Sequence, residues 1–542
     1  MAPRMTRLST VPAGLAILAI STSAYAQSFS LPSDVNLGIG VPPARITGVE
    51  SADLDGDGRG DIVGTDNANP GLIGYAMGTG GGSYATQAPI ATPSSTGAFL
   101  PTLGDLDGDG FLDVAISGEH STLIGHQAVY VAVGSSSGSF SLVGMFGPYD
   151  LGLVNSVTDL AITDLDRDGF DDILATVTSG GAGGLAILYG RLPPSPSIPI
   201  DFAPVTTSST GVGAEAVDVC VDFNADGYKD VVVCGWGPGF PWVSIHAGNN
   251  THTPGPVTVL TLPAGTRPRD VHWIDCNQDG RYDIAVAGSG PTPRVVMIRN
   301  LGPPTFFGPT SIGPVLPMAR EAFSLLRMEV NFDGSEDLTV FTTASGGTMP
   351  NTELETLSAV SCSPASVGSI SVGSYDSTAV PRSSMQLHAV HDQDVDGRED
   401  LVLVDHSTTP SRVRVYKNTA PTDFTIGPAR LRHGQVTPIN IGIDVPPAFG
   451  GRPFVILLSM GGTLPGLNLP GGLHVPLNPP FHPFSISGTL PASGELKIVT
   501  PPVALPAVPT AFSAHISAVA VIQGAAVGSI GMTTNPAVIT VP

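Results

Sequence analysis

Positive charge is scarce in this 542-residue sequence: 23 Lys and Arg stand against 46 Asp and Glu, for a formal charge of −23. Only three lysines occur, Lys229, Lys417 and Lys497. An imbalance of this sign argues against nucleic acid and anionic membranes as partners, because both are polyanions. Aromatic residues are also few, at 6%. Helix-length apolar periodicity is missing outside the first 25 residues, so helices are not the main building material. No segment beyond the N-terminus offers the ~20 consecutive apolar residues of a membrane-spanning helix.

What the chain has in excess is turn chemistry. It carries 67 Gly and 51 Pro, spread along its length, as many short strands joined by tight turns require. A hydrophobic content of 42% is ample for a folded core. The length exceeds one ordinary domain unless a repeat architecture extends it. The first 26 residues read as an export signal: Arg4 and Arg7 precede the apolar stretch Val11 to Ile20, and Ala24-Tyr25-Ala26 supplies a small-residue cleavage pattern. The mature chain is expected to begin near Gln27 and to work outside the cytoplasm, secreted or at a cell surface.

One pattern, Asp-x-Asp/Asn-x-Asp-Gly-x-x-Asp, recurs seven times at spacings of 52 to 63 residues. The candidate ligands in the first three copies are Asp53, Asp55, Asp57 and Asp61; Asp105, Asp107, Asp109 and Asp113; and Asp164, Asp166, Asp168 and Asp172. The fourth and fifth copies hold Asp222, Asn224, Asp226 and Asp230, then Asp275, Asn277, Asp279 and Asp283. Glu329, Asn331, Asp333 and Asp337 form the sixth, and Asp392, Asp394, Asp396 and Asp400 the seventh. Side chains at positions 1, 3, 5 and 9 of such a loop, with the backbone carbonyl of position 7, can converge on one point. Hard oxygen donors in a flexible cage suit Ca2+ better than Mg2+, which sheds its water reluctantly. Up to seven Ca2+ ions are expected, the sixth loop being the weakest because it departs furthest from the pattern.

Position 6 is Gly in every copy, as a turn with positive φ demands. These loops hold 25 of the 46 acidic residues, so each cluster repels itself unless a cation is present. An EF-hand is excluded: position 12, where that loop needs Glu, is Gly64, Ile116 or Ala175 in the first three copies. Position 9 instead leads into β-rich runs such as Val231-Val232-Val233 and Leu401-Val402-Leu403. Each loop therefore joins two strands, and further strand and turn signals, such as Val129–Val133 before a Gly/Ser turn, complete about four strands per repeat.

The repeats resemble the FG-GAP and VCBS repeats of integrin α-subunit propellers and of many bacterial extracellular proteins. The likeness covers roughly residues 30–425 and rests on the seven loops, while the FG-GAP signature itself survives only in traces such as Phe146-Gly147-Pro148 and Phe307-Gly308-Pro309. It implies an all-β protein with a seven-bladed β-propeller over 27–425 and Ca2+ in loops between two strands of a blade. Residues 431–542 contain five charged side chains, Arg432, Asp444, Arg452, Glu495 and Lys497, and short apolar stretches between turns read as a small C-terminal β-sandwich.

Other motifs have plainer explanations. Arg59-Gly60-Asp61 spells a cell-adhesion tripeptide, but Asp61 is already position 9 of a loop. Gly134-x-Ser136-x-Gly138 matches a nucleophile elbow yet falls in a hairpin without the helix that motif needs. The twelve histidines show no metalloprotease spacing; His388 and His391 read as packed or edge residues, and Glu119-His120 and Asp405-His406 as residues of a propeller face. Cys276 and Cys220 occupy apolar slots of the repeat, and Cys220 with Cys234 is the best disulfide candidate among the four cysteines, which include Cys362. The expected function is a binding, adhesion or scaffold module for an extracellular protein or glycan. The alternative is an extracellular polysaccharide lyase or hydrolase using a propeller face, for which the sequence shows no convergent catalytic set.

Overall fold

The computed structural model describes all residues except 1–28, 42–43, 95–96, 121–124, 147–155, 180–181, 194–199, 220–221, 225, 238–239, 254, 278, 280, 329, 331–336, 344–351, 359–364, 374–387, 395–397, 407–409, 420–423, 428–435, 438–439, 446, 460–466, 469–473, 476–481, 500–502, 505–513, 524–529, 534–536 and 542. Among the described residues the regular elements are strands, with two 3-10 turns at Pro309–Ser311 and Pro447–Phe449. The chain is all-β and propeller-like.

Seven antiparallel sheets follow one another, and each begins with the strand that enters an acidic loop. The first strands are Ile46–Ala52, Ala98–Gly104, Ser156–Thr163, Ala214–Val219, Arg267–Ile274, Glu321–Met328 and His388–His391. In the second sheet the order is simple: Ala98–Gly104, Asp113–Glu119, Gln127–Val133 and Ser141–Phe146 pair in sequence. The third sheet takes Thr206–Gly211 as its outer strand, after a hairpin of Gly190–Arg191 with Asp201–Phe202.

The seventh sheet is completed from the other end of the chain. Ser33–Val35 pairs antiparallel with Arg412–Tyr416, Ser33 opposite Val415 and Val35 opposite Val413. Asp34 on this short strand receives the guanidinium of Arg412 at 2.6 Å. Three residues supply little burial of their own, so the strand holds because the sheet already offers an unpaired edge.

Apolar side chains explain why the sheets stack. Second strands such as Asp113–Glu119, Asp283–Ser289 and Asp400–Asp405 are buried nearly throughout, because both of their faces meet another sheet. The core is accordingly divided between neighbouring sheets. One cluster joins the first two sheets through Leu54, Val63, Val114 and Tyr130, and another joins the fourth and fifth through Val232, Val243, Trp273 and Ile284. The last links the seventh sheet back to the first: Val402, Val404, Val413 and Val415 pack with Leu37, Ile46, Val49 and Ile62. Truncating one of these fully buried side chains to Ala costs roughly 2–5 kcal/mol.

Beyond the seventh sheet, Phe424–Gly427, Asn440–Asp444 and Glu495–Val499 form one antiparallel sheet. A second consists of His482–Thr489, Pro453–Ser459, Ala514–Gln523 and Ile530–Thr533, with Ala537–Val541 also on Ala514–Gln523. The two share an apolar core that includes Phe424, Ile443, Phe454, Ile456 and Ile522.

The cysteine expectation is corrected. Cys234 is a free, buried thiol, and Cys276 is disulfide-bonded. Register explains why Cys234 stands alone: Ala216 lies opposite it on the preceding strand, and Val219 already pairs with Val231. Cys220 and Cys362 lie outside the described residues. Alkylation in denaturant without reductant should therefore label Cys234 and leave Cys276 unlabelled until reduction, as read by peptide mass spectrometry.

Candidate metal loops

Each acidic loop is shaped by its own carboxylates. In the first, Asp53 at position 1 accepts the N–H of Gly56 at 2.8 Å, of Asp57 at 3.1 Å and of Gly58 at 2.9 Å. Asp55 accepts from Asp57 N at 3.1 Å and Asp57 from Arg59 N at 2.9 Å. These short-range bonds wrap the backbone around the carboxylates, leaving oxygens turned inward. The second loop repeats the pattern through Asp105, Asp107 and Asp109, and the fourth through Asp222, Asn224 and Asp226. Asn224 keeps the contact of the Asp it replaces, with its side-chain oxygen 2.8 Å from Asp226 N.

The turn needs two left-handed residues. Position 6 has φ of 85°, 89°, 93° and 94° at Gly58, Gly110, Gly169 and Gly227, as the sequence reading requires. Position 4 does the same with Gly56 and Gly108, and in the third loop Arg167 takes φ 69° there. A non-glycine residue in that region is strained; Arg167 stacks on the Tyr228 ring of the next loop at 4.5 Å, which offsets part of the cost.

Position 9 does more than close a ligand shell. Both oxygens of Asp61 are engaged by backbone N–H groups, from Leu54 at 2.8 Å and from Gly78 at 2.7 Å. Asp113 holds Leu106 and Gly134, Asp172 holds Leu165 and Gly190, and Asp230 holds Phe223 and Gly248. Asp400 holds Gln393 and Asn418 in the seventh sheet, and Asp283 takes Asn300 N in the fifth. The carboxylate thus ties the start of its loop to the end of the third strand. Buried charge-assisted bonds of this kind are among the stronger ones.

The sequence reading missed the receiving glycines. A Cβ on Gly134 would stand 2.1 Å from the Leu112 carbonyl oxygen, and one on Gly248 would stand 1.9 Å from that of Lys229. A glycine recurring 17 to 21 residues after position 9 was the available signal. The arrangement also disposes of the adhesion tripeptide, since Asp61 is buried and both its oxygens are committed.

Three carboxylate oxygens fall within 4.8 Å of one another in four loops: Asp53, Asp55 and Asp57; Asp105, Asp107 and Asp113; Asp164, Asp166 and Asp172; Asp392, Asp394 and Asp400. These are the four loops with Asp at every ligand position. Of the remaining expected ligands, Glu329, Asn331, Asp333 and Asp396 lie outside the described residues. Asp337 is described and accepts from Val330 N at 3.2 Å, and Asp275 accepts from Asp279 N at 3.1 Å. Basic side chains lean on two of the loops, Arg59 on Asp57 at 2.6 Å and Lys417 on Asp394 at 2.9 Å, and the His252 ring lies 2.5 Å from Asp166 in a third.

Burial pushes these carboxyls up. Asp61 and Asp113 rise to about 8, Asp105, Asp230 and Asp283 to about 7, and Asp53 to about 6. Burial is the main cause in each, and the other carboxylates of the same loop add to it.

Neighbouring loops are joined as well. Asp171 accepts from Asp105 N at 2.9 Å, Lys229 donates to Thr163 at 2.6 Å, and Asn300 donates to the Phe223 carbonyl at 2.9 Å. Gln393, at position 2 of the seventh loop, donates to Ser51 at 2.6 Å and accepts from Tyr84 at 2.8 Å. The loops therefore report on the seams between sheets, including the seam between last and first.

Comparison with known proteins agrees with the repeat. The FG-GAP-like repeat family matches residues 53–116 and 222–286, which run from the first loop through the second and from the fourth through the fifth. Those two stretches are FG-GAP-like repeats. No curated protein matches it in sequence. Among solved structures it is similar to BBS1N in complex with ARL6DN, at 13% identity and TM-score 0.42, covering 72% of this chain and 98% of that one. It is also similar to the Bacillus licheniformis rhamnogalacturonan lyase PL11, at 11% identity and TM-score 0.43, covering 72% and 76%. The exotype rhamnogalacturonan lyase YesX follows at 13% and 0.40, covering 73% and 76%.

Two outcomes follow from this geometry. The raised carboxyls bind more protons in the folded, metal-free protein than in the unfolded chain, whose Asp groups titrate near 3.8. Metal-free stability should thus fall as pH rises from about 4 to about 8, and added calcium should reverse that slope; melting temperatures in chelator and in calcium across this range check it. Separately, Asp113→Ala should cost roughly 2–5 kcal/mol even in chelator, by stranding the Leu106 and Gly134 N–H groups. Asp109→Ala, at an exposed position 5, should lower calcium affinity and leave metal-free melting almost unchanged.

Proposed function

We propose that the seven sheets are the blades of one closed seven-bladed β-propeller, that the two C-terminal sheets form a small β-sandwich, and that the loops bind Ca2+, up to seven ions. The protein acts as a secreted or surface-displayed module that binds or scaffolds an extracellular protein or glycan. Residues 1–26 direct export in this reading. Among the described residues no helix is long and apolar enough to cross a membrane.

The observation that carries it is the convergence of three carboxylate oxygens within 4.8 Å in each of four separate loops. Like charges at that separation oppose folding unless a cation joins them. Backbone N–H groups already fix the outer side of each cluster, and an all-oxygen cage of Asp side chains and carbonyls favours Ca2+. Because the first five loops and the seventh are bonded to their own third strands, and several to a neighbouring sheet, occupancy stiffens the seams between blades. The faces can then present variable loops on a rigid frame. Position 9 keeps a double role, as clamp and as ligand.

Calorimetric titration of the metal-free chain from residue 27 onward should give at least four Ca2+ per molecule. The melting temperature should rise by roughly 10 °C or more between chelator and saturating calcium. No saturable binding together with an unchanged melt would overturn the reading.

A further inference from the structure

The first strands of the seven sheets lie side by side, each against the next and the last against the first. Five of them send polar side chains into one cluster away from the metal loops. Asp159 belongs to the third sheet, Asp218 to the fourth, Asp270 and His272 to the fifth, Ser324 to the sixth and His388 to the seventh. They stand four or five residues before position 1 of their loops, apart from His272, a spacing the sequence contains but does not advertise.

The hydrogen bonds are specific. His272 bonds the Asp218 carboxylate through Nδ1 at 2.9 Å and donates through Nε2 to the Leu325 carbonyl at 3.1 Å. Burial works against its charge, but Asp218 and Asp270 outweigh burial and raise its pKa. Arg327 also acts on Asp218 and lies over the Trp273 ring at 3.4 Å, while Arg269 pairs with Glu215 at 3.2 Å. Asp270 accepts from Ser324 Oγ at 2.7 Å and from Leu325 N at 2.8 Å. Ser324 Oγ lies 2.5 Å from His388 Nε2.

This chain of bonds sets a tautomer. Ser324 gives its one hydrogen to Asp270, so His388 must donate to it through Nε2, which leaves Nδ1 as a bare lone pair. Among the described residues Nδ1 has no hydrogen-bond partner, although His388 is only 7% exposed. Asp159 accepts backbone N–H groups of Leu160 and Val217, both at 2.9 Å. Burial and the charge of Asp270 push its pKa to about 8. At neutral pH Asp159 therefore keeps its proton, and a cation that pairs with it displaces that proton, while His388 Nδ1 is an open acceptor. The cluster can also be reached: the side chains of Asp218, Asp270 and His272 keep 14%, 16% and 26% of their surface accessible.

We propose that this cluster binds the cationic end of a small organic molecule, an ammonium or guanidinium group that pairs with Asp159 and donates to His388 Nδ1. A lone metal ion fits less well. Among the described residues, only the four loop clusters bring three ligand atoms within 4.8 Å, so the central groups are spread for a ligand of several atoms. The chain's charge of −23 draws cations toward it. The inference rests on the ring closure proposed above.

The test is a calorimetric titration of the calcium-saturated protein with spermidine, with L-argininamide and with glucose as the uncharged control. At least one cation should saturate a single site while glucose gives no heat of binding. Asp159→Asn and His388→Ala should each weaken that site about tenfold or more, and Val259→Ala, at an exposed position of an outer strand, should leave it unchanged. Absence of saturable cation binding, equal binding of glucose, or affinity that survives both central substitutions overturns the proposal. If Asp159→Asn loses its cooperative melt, Ser324→Ala replaces it: freeing the His388 tautomer should weaken the site about threefold, and unchanged affinity counts against it. The calcium-dependent melt of the unliganded protein reports separately on ring closure.

Discussion

A single carboxylate at position 9, accepting two backbone N–H groups in five of the loops, is the interaction on which the rest depends. Asp61, Asp113, Asp172, Asp230 and Asp400 each tie the second residue of a loop to the residue that ends the third strand. That bond fixes the loop's entry relative to its sheet, and the carboxylates at positions 1, 3 and 5 then fold the remaining turn over it. A buried carboxylate without these donors would be costly to keep. With them it costs less, but its pKa stays high, and a nearby divalent cation is the natural remedy. The candidate metal loops and the sheet geometry are thus parts of one arrangement.

Stacking the sheets face to face has a second consequence. A β-sheet buried on both sides cannot have a core of its own, so the apolar clusters lie at the seams. Each seam also carries polar ties, from Asp171 to Asp105 N or from Gln393 to Ser51. The seam between last and first is joined by the same means as the others, with Ser33–Val35 completing the seventh sheet. Packing of successive first strands brings side chains from five sheets together, although each is distant from the others in the chain.

Much of this was legible beforehand. The seven loops, the strands on either side of them and the left-handed glycine at position 6 follow from residue type and spacing, since each depends on contacts within about ten residues. The repeats themselves match a known family at residues 53–116 and 222–286. The double duty of position 9 was not legible, because its second partner, such as Gly134 for Asp113, lies on another strand. Nor was the state of Cys234, which hangs on whether Ala216 or Cys220 faces it across the ladder.

Local chemistry is therefore what the sequence by itself determined: which turns form, which oxygens gather, and which strands run between them. The tertiary structure decided what those pieces meet. A short strand such as Ser33–Val35 carries no signal of its partner near residue 414, because pairing is set by an open sheet edge and not by either sequence alone. In the same way Asp159, Asp270, Ser324 and His388 look like ordinary strand residues one repeat at a time. They become one polar cluster because the first strands of successive sheets lie side by side.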